Sequence, residues 1–466
     1  MVTRPSPTRV GSLIARALTE PRRPAAVRES PRASWLVVGT VCIGAFMGQL
    51  DASIVTLALP RLGRDLHATV GAVEWVALSY LLVLVAVVTP VGHLADSVGR
   101  KLLYVYGFGV FTIGSGLCGL APTLELLIGA RVLQAVGAAM LQANSVALIT
   151  EAVPRPLLAR AIGIQGTAQA LGLALGPALG GALLALGGWR LIFLVNLPAG
   201  AVGFALGWVL LPRSHRRRTR TGPSDRLGPS LLAVAAGGPL LYLSLASRDG
   251  YGSAPLVAAL VAGLIAAGLF VRHERRHAAP MIDLSILRRP ALSGGLSSGL
   301  VSYLVLFGTL FVVPYYLYSH RIGEALAGLQ LAALPVAIGI AAPIAGRHVD
   351  RFGARPFTSG GLLLAGAGLL ELAAWEQTPG LLIGLVLIGL GIGAFTPANN
   401  ATIMRAAPPQ RTGLVGGLLN MTRGLGTAIG VAAAGALYTA AAGAGATVAA
   451  HAGEAAAGQG LRVAIG

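Results

Sequence analysis

Charged residues are scarce in this chain: Asp, Glu, Lys and Arg make up 11% of its 466 residues, where a soluble protein of this size carries about a quarter. So few charges cannot cover a water-facing surface, which excludes an ordinary cytosolic enzyme. Acids are the scarcer sign, 17 against 35 bases, and Lys101 is the single lysine. The two cysteines, Cys42 and Cys118, both lie in apolar runs; they exclude a disulfide scaffold and fit no ligand spacing. There is no Gly-x-x-x-x-Gly-Lys-Ser/Thr loop, so ATP is not the expected energy source. There is also no His-Glu-x-x-His, no clustered Cys/His set and no nucleophile–base pattern, so metal, cofactor and enzyme chemistry have no visible home.

What the chain does have is apolar length. Hydrophobic residues make up 55% and glycine contributes 65 residues, with a mean hydropathy of +0.74. Helices packed in membranes favour glycine and proline, so the composition points to an all-α integral membrane protein. A bilayer core about 30 Å thick needs roughly 20 residues of helix. Thirteen such runs are predicted, at 35–59, 72–91, 102–121, 124–150, 161–186, 190–211, 227–247, 254–271, 291–318, 324–345, 356–374, 380–404 and 413–442. Residues 1–34 read as a flexible, cytoplasmic, Arg- and Pro-rich tail without a cleaved signal peptide.

The basic residues argue orientation. With the N-terminus in the cytoplasm, 27 of the 35 lie in cytoplasmic segments. Six lie on the opposite side, and Arg131 and Arg423 fall inside spans. This bias places the N-terminus inside. Basic residues confined to short gaps are a mark of membrane orientation rather than a nucleic-acid surface.

An internal repeat carries the most information. After the second span comes Gly92-His-Leu-Ala-Asp96-Ser-Val-Gly99-Arg100-Lys101, and after the tenth comes Gly346-Arg-His-Val-Asp350-Arg351-Phe-Gly353-Ala-Arg355. One copy alone is an ordinary basic turn. Two copies in register imply two similar halves, as in many secondary transporters. The copies lie 254 residues apart, whereas six spans with loops occupy roughly 180–200 residues. The surplus accommodates two further helices between the halves. The expected division is 1–34 tail, 35–212 first six-helix bundle, 213–226 basic loop, 227–271 two extra helices, 272–290 loop, 291–442 second bundle with five spans seen, and 443–466 C-terminal tail.

On these residues the chain resembles the major facilitator superfamily, and within it the 14-span drug:proton antiporter branch (EmrB/QacA type). Gly92–Lys101 is similar to the superfamily's loop signature between spans two and three. The run from Leu50-Asp51 to Pro60 resembles the branch's first-span motif, and Arg131-Val-Leu-Gln134-Ala-Val-Gly137 its fourth-span motif. Gly172, Gly176, Pro177, Gly180 and Gly181 match the fifth-span antiporter motif. Trp189-Arg190 with Phe193, Asn196 and Pro198, then Pro280-Met-Ile-Asp283, and Asn420 with Arg423-Gly424 also fit the branch. The resemblance implies two six-helix bundles with two helices between them, alternating access, proton-driven export, and gating by the two repeated loops. The chain departs at its end, where 443–466 reads as the start of a missing last helix. Two readings stand side by side: thirteen spans with the C-terminus outside, or a shortened product that does not transport.

Ionisable residues inside spans are costly, at least about 2.5–3.5 kcal/mol on insertion scales, and usually functional. At the helical rise Asp51 lies roughly 12 Å and Arg131 roughly 10 Å from the same membrane face, so the two can pair if their spans are neighbours. Burial favours a neutral carboxyl group and a nearby guanidinium favours the charged one. A changing separation would therefore take up or release a proton, which makes Asp51 the expected proton site and Arg131 its partner; a static ion pair is the plainer alternative. Gly172, Gly176 and Gly180 line one helix face and permit close packing. Pro177 permits a bend there. Tyr303, Phe307, Phe311 and Tyr315 form a helical stripe that can line a substrate cavity or instead face lipid or another helix, with Tyr80, Asn420 and Arg423 as further candidates. Arg423 has no evident acidic partner, and Glu74 and Glu125 are expected at the headgroups. The reading is a proton-coupled exporter of small lipophilic compounds in the inner (plasma) membrane, acting on a small molecule and protons without an obligate protein partner. Its alternatives are an importer, an exporter of one metabolite, and a truncated non-transporting protein.

Overall fold

The structure is a computed structural model that describes residues 20, 23–154, 157–213, 227–249, 252–277, 287–374, 378–406 and 412–448. Among the described residues the regular elements are helices, with no strand. In a bilayer this follows from hydrogen bonding, because a helix satisfies its own backbone where water is absent. The first half comprises α1 (Ala33–Asp65), α2 (Trp75–Val98), α3 (Arg100–Leu120), α4 (Leu124–Ala152), α5 (Leu158–Gly187) and α6 (Trp189–Leu194, continuing as Asn196–Leu210). Then come α7 (Leu227–Asp249) and α8 (Ala254–Arg276). The second half comprises α9 (Pro290–Ser319), α10 (Glu324–Leu331, continuing as Ala333–Phe352), α11 (Arg355–Ala374), α12 (Thr378–Ala406) and α13 (Thr412–Val448).

Among the described residues, eleven helices are long and apolar enough to cross a membrane. The other two expected spans are also helical: α7, with a shorter apolar core Ser230–Leu243, and α13, which runs past residue 442 to Val448. Residues 449–466, the Pro280–Asp283 motif and most of the N-terminal tail lie outside the described residues.

The repeat has a backbone cause. Gly99 separates α2 from α3 at φ 121°, and Gly353 separates α10 from α11 at φ 79°. A side chain at either place would be strained, so glycine closes both turns.

Packing repeats as well. In the first half α1 lies on α5, α2 on α4 and α3 on α4; in the second, α9 lies on α13, α10 on α12 and α11 on α12. Even the first glycines of the two motifs match, Gly92 facing Ala143 of α4 and Gly346 facing Pro397 of α12. The halves meet where α5 touches α10, α2 touches α13 and α1 touches α9. The hairpin of α7 and α8 leans on α13 and α2 through α7. In α8 only 22% of the apolar stretch is buried, so the rest of the protein leaves most of that helix uncovered.

Candidate functional site

The buried polar centre lies in the first half. Asp51 of α1 and Arg131 of α4 are 0% and 1% exposed, and Arg131 Nη1 donates to Asp51 Oδ2 at 2.6 Å. The matching depths counted along the two spans thus become a direct ion pair. The other carboxylate oxygen, Oδ1, accepts from Gln134 Nε2 at 2.9 Å and Asn196 Nδ2 at 3.2 Å. Arg131 also donates from Nε to the Val76 carbonyl at 2.9 Å and from Nη1 to Gln134 Oε1 at 2.7 Å. Ser115 Oγ accepts from Gln134 and Asn196, each at 3.1 Å, and donates to the Phe193 carbonyl at 2.8 Å.

Local sequence explains how five helices converge here. A methyl group at Gly114 would lie 2.7 Å from the Gln134 Cα, so the bare glycine lets α3 and α4 approach until Ser115 reaches Gln134. Gln134 is three residues after Arg131, on the same helix face. Asn196 stands at the break between the two pieces of α6. The Arg131 guanidinium lies 4.2 Å from the centroid of the Tyr80 ring. Tyr80, a candidate for the substrate cavity, has its ring buried against this cation.

Sequence reading singled out the ion pair but gave no role to Ser115, Gln134 or Asn196. The available signal was polarity inside apolar runs, which in a membrane marks function or pairing. Cys118 joins the edge of the network, 3.6 Å from Gln134 Oε1.

The antiporter glycines are divided between two partners. Gly172, Gly176 and Gly180 face Phe46, Ser53 and Ile54 of α1. Gly181 instead faces α10, where a methyl group would lie 2.6 Å from the Glu324 carbonyl oxygen, and Gly328 packs against Gly181 and the Pro177 carbonyl. One segment therefore seals a joint within the first half and another between the halves. Beside it, Arg61 of α1 pairs with Glu324 at 2.7 Å across the same seam, and Arg64 lies over the Tyr318 ring at 5.6 Å. Glu74, expected at the headgroups, is instead 0% exposed and packs against Gly435 of α13. It lies where α2 meets the second half, which shields it from the surroundings. Glu125 is exposed as expected.

Residues of the two repeated loops make contacts with nearby helix ends. Arg100 pairs with Glu151 at 2.8 Å. Lys101 is buried and donates to the Leu211 carbonyl at the end of α6, also at 2.8 Å. Arg355 opens α11 and is exposed. The side chains of Asp96 and Asp350 lie outside the described ones.

In the second half Phe307 and Phe311 are buried, while Tyr303 is half-buried and stacks on Phe307 at 6.2 Å. Arg423 Nη2 donates to Asn400 Oδ1 at 2.9 Å, and its guanidinium lies 5.5 Å from the Tyr303 ring. Asn420, one turn earlier, is half-buried.

A sequence model of the Major Facilitator Superfamily matches residues 41–273 and 295–457. The chain belongs to this superfamily. It is 32% identical to the riboflavin transporter RibZ of Clostridioides difficile, over 85% of this chain and 87% of that protein. It is 33% identical to the multidrug resistance protein Stp of Mycobacterium tuberculosis, over 85% of this chain and 74% of that protein. Its fold is similar to a crystal structure of a bacterial homologue of the human lysosomal transporter Spinster, at 17% identity, TM-score 0.67 and 94% coverage of each chain. This superfamily member is thus a multi-pass membrane transporter, and its drug-efflux relatives are consistent with the antiporter branch that its motifs resemble.

Proposed function

We propose that this transporter exports small lipophilic compounds in exchange for protons, by alternating access between its two halves. The observation that carries the reading is the buried Asp51–Arg131 pair and the amides around it. Arg131, Gln134 and Asn196 all use the carboxylate as an acceptor. A proton added to either oxygen removes an acceptor position and breaks a contact. It also leaves Arg131 a buried cation without its countercharge, a strongly unfavourable arrangement. Rearrangement of α4 against α1 relieves that cost, and α1 also bears on α5 and α9, so the proton's effect reaches the seam between the halves.

The remaining parts take roles around this switch. The Gly181–Gly328 contact and the Arg61–Glu324 pair close one end of the seam. With the N-terminus in the cytoplasm of the inner membrane, that end is the outer one. The turns at Gly99 and Gly353 then lie on the cytoplasmic side, where the repeated loops gate. The relative Stp, a multidrug resistance protein, supports a drug-efflux reading. A transporter for one particular small molecule is the second reading, favoured by the relative RibZ.

Inverted membrane vesicles with a pH-gradient dye test the proposal. Addition of a transported lipophilic compound collapses the gradient with the wild-type chain and leaves it standing with Asp51→Asn. Undiminished collapse with Asp51→Asn would refute proton coupling at this site.

A further inference from the structure

The two arginines inside the membrane are finished differently. Arg131 is enclosed by an acid, an amide, a backbone carbonyl and an aromatic ring. Arg423 is half-buried on α13, and its recorded hydrogen bond goes to the neutral amide oxygen of Asn400. No acid among the described residues pairs with it. A guanidinium offers five N–H donors, and a cation at membrane depth is costly without an anion.

Its position is informative. The neighbouring Gly424 faces Val85 of α2, so that a methyl group there would lie 2.9 Å from Val85 Cγ2. Arg423 therefore stands beside the seam between the halves, at a depth of roughly 15 Å along the helix. Asn400 comes from α12 and Tyr303 from α9, so three helices of one half converge on a single guanidinium. Asn400 fixes one edge of the plane and the Tyr303 ring supports one side. Guanidinium planes bind carboxylates in a fork and stack on aromatic faces.

We infer that Arg423, positioned by Asn400 and Tyr303, is a docking point for the anionic group of a transported small aromatic compound. The inference rests on the reading that the chain carries a small compound along the seam, and it narrows the substrate class to aromatic molecules bearing a carboxylate or a similar anion. It does not depend on proton coupling at Asp51. The ligand's anion completes the charge of Arg423, and its ring system extends over the guanidinium and Tyr303.

Two dyes that share a xanthene core test the charge requirement. Fluorescein is anionic and rhodamine 6G cationic; their binding to the purified full chain in detergent is read by fluorescence polarisation. Fluorescein binds saturably to the wild type, and Arg423→Gln weakens it by about tenfold, as loss of a charge-assisted contact requires. Arg423→Lys keeps part of the affinity, and Arg64→Gln leaves it unchanged. Rhodamine 6G binding is insensitive to Arg423→Gln. Asn400→Asp provides an independent variant: it supplies an internal countercharge, so it also weakens fluorescein while raising the melting temperature. Absence of fluorescein binding to the wild type, or equal binding to wild type, Arg423→Gln and Asn400→Asp, overturns the inference. Loss of proton coupling in vesicles with Arg423-dependent binding intact would sink the exchange mechanism alone.

Discussion

Arg61 and Glu324 meet at 2.7 Å across the seam between the halves, on helices separated by most of the chain. Arg61 also holds Asp65 at 3.0 Å, so the guanidinium is shared between a partner on its own helix and one on α10. Both members of the pair are partly exposed, 31% and 24%, and such pairs contribute about 0–1 kcal/mol. A contribution of that size barely changes folding but biases an equilibrium between two closely balanced states.

Glu324→Gln should therefore leave expression and melting temperature near the wild type while opening this end of the seam more often. Ala327, buried on the same stretch of α10, provides the reporter. In a background without Cys42 and Cys118, maleimide labelling of Ala327→Cys should accelerate about two- to fivefold with Glu324→Gln, matching a bias below about 1 kcal/mol. The charge-swapped pair, Arg61→Glu with Glu324→Arg, should return the rate toward the original. Equal rates in all three would show that the pair does not hold the end closed.

The glycine contact beneath that pair is stiffer. A methyl group at Gly328 would lie 2.8 Å from the Gly181 Cα, and backbone cannot swing aside as a flexible side chain can. Gly328→Ala therefore forces α5 and α10 apart, at about 1–3 kcal/mol for overpacking. The state closed at this end loses that energy and the open state does not, so transport should fall about five- to 150-fold. Gly176→Ala, by contrast, drives α1 from α5 within one half, where a methyl group meets Ser53. It should lower the melting temperature first. Flux and thermal melts on the two variants separate the effects, and identical profiles would contradict the division of the motif between two joints.

A buried pair can be structural, functional or both, and double variants distinguish these. Removing one partner leaves an uncompensated charge and costs about 3–5 kcal/mol. Asp51→Asn should accordingly depress the melting temperature markedly, while Asp51→Asn with Arg131→Gln should recover much of it because no charge remains to strand. Proton coupling should be lost in both. If the double variant regained coupling together with stability, the pair would be a structural element and the proton site would lie elsewhere.

How far these features could be read beforehand depended on whether counting along one helix was enough. Asp51 and Arg131 lie at similar depths in their spans, and depth follows from the helical rise, so their matching depths were open to arithmetic, whereas the adjacency of the two spans was implied by the resemblance. The repeated Gly–Asp–Gly turns foretold matching halves because each turn needs a residue that tolerates φ of 121° or 79°. Glu74 was misjudged for the opposite reason. A residue at a span end meets headgroups or a neighbouring helix according to which side of the helix faces the seam, and that is decided by tertiary packing. Lys101, a base in a loop motif, reads as a gating charge; its bond to the Leu211 carbonyl at the end of α6 is likewise set by tertiary packing. Gln134 and Asn196 were visible as motif letters, but their convergence on one carboxylate oxygen required three helices in place.

The turn glycines allow backbone strain to be tested apart from crowding. An added Cβ at Gly353 meets nothing within 4 Å, and the same is true at Gly360, inside α11. Space therefore predicts the same tolerance at both positions, whereas conformation predicts opposite signs. Gly353 has φ 79° and ψ 166°, a region essentially reserved for glycine, where another residue costs about 1–3 kcal/mol. Gly360 is helical, and alanine there should gain roughly 0.5–1 kcal/mol from its smaller loss of backbone freedom. Thermal melts in detergent should thus show Gly353→Ala below the wild type and Gly360→Ala at or above it. Gly99→Ala should follow Gly353→Ala, because φ 121° at the equivalent turn is equally hostile to a side chain. A Gly353→Ala protein as stable as wild type would mean that the turn relaxes freely, and the glycine of the repeated motif would then need an explanation other than backbone geometry.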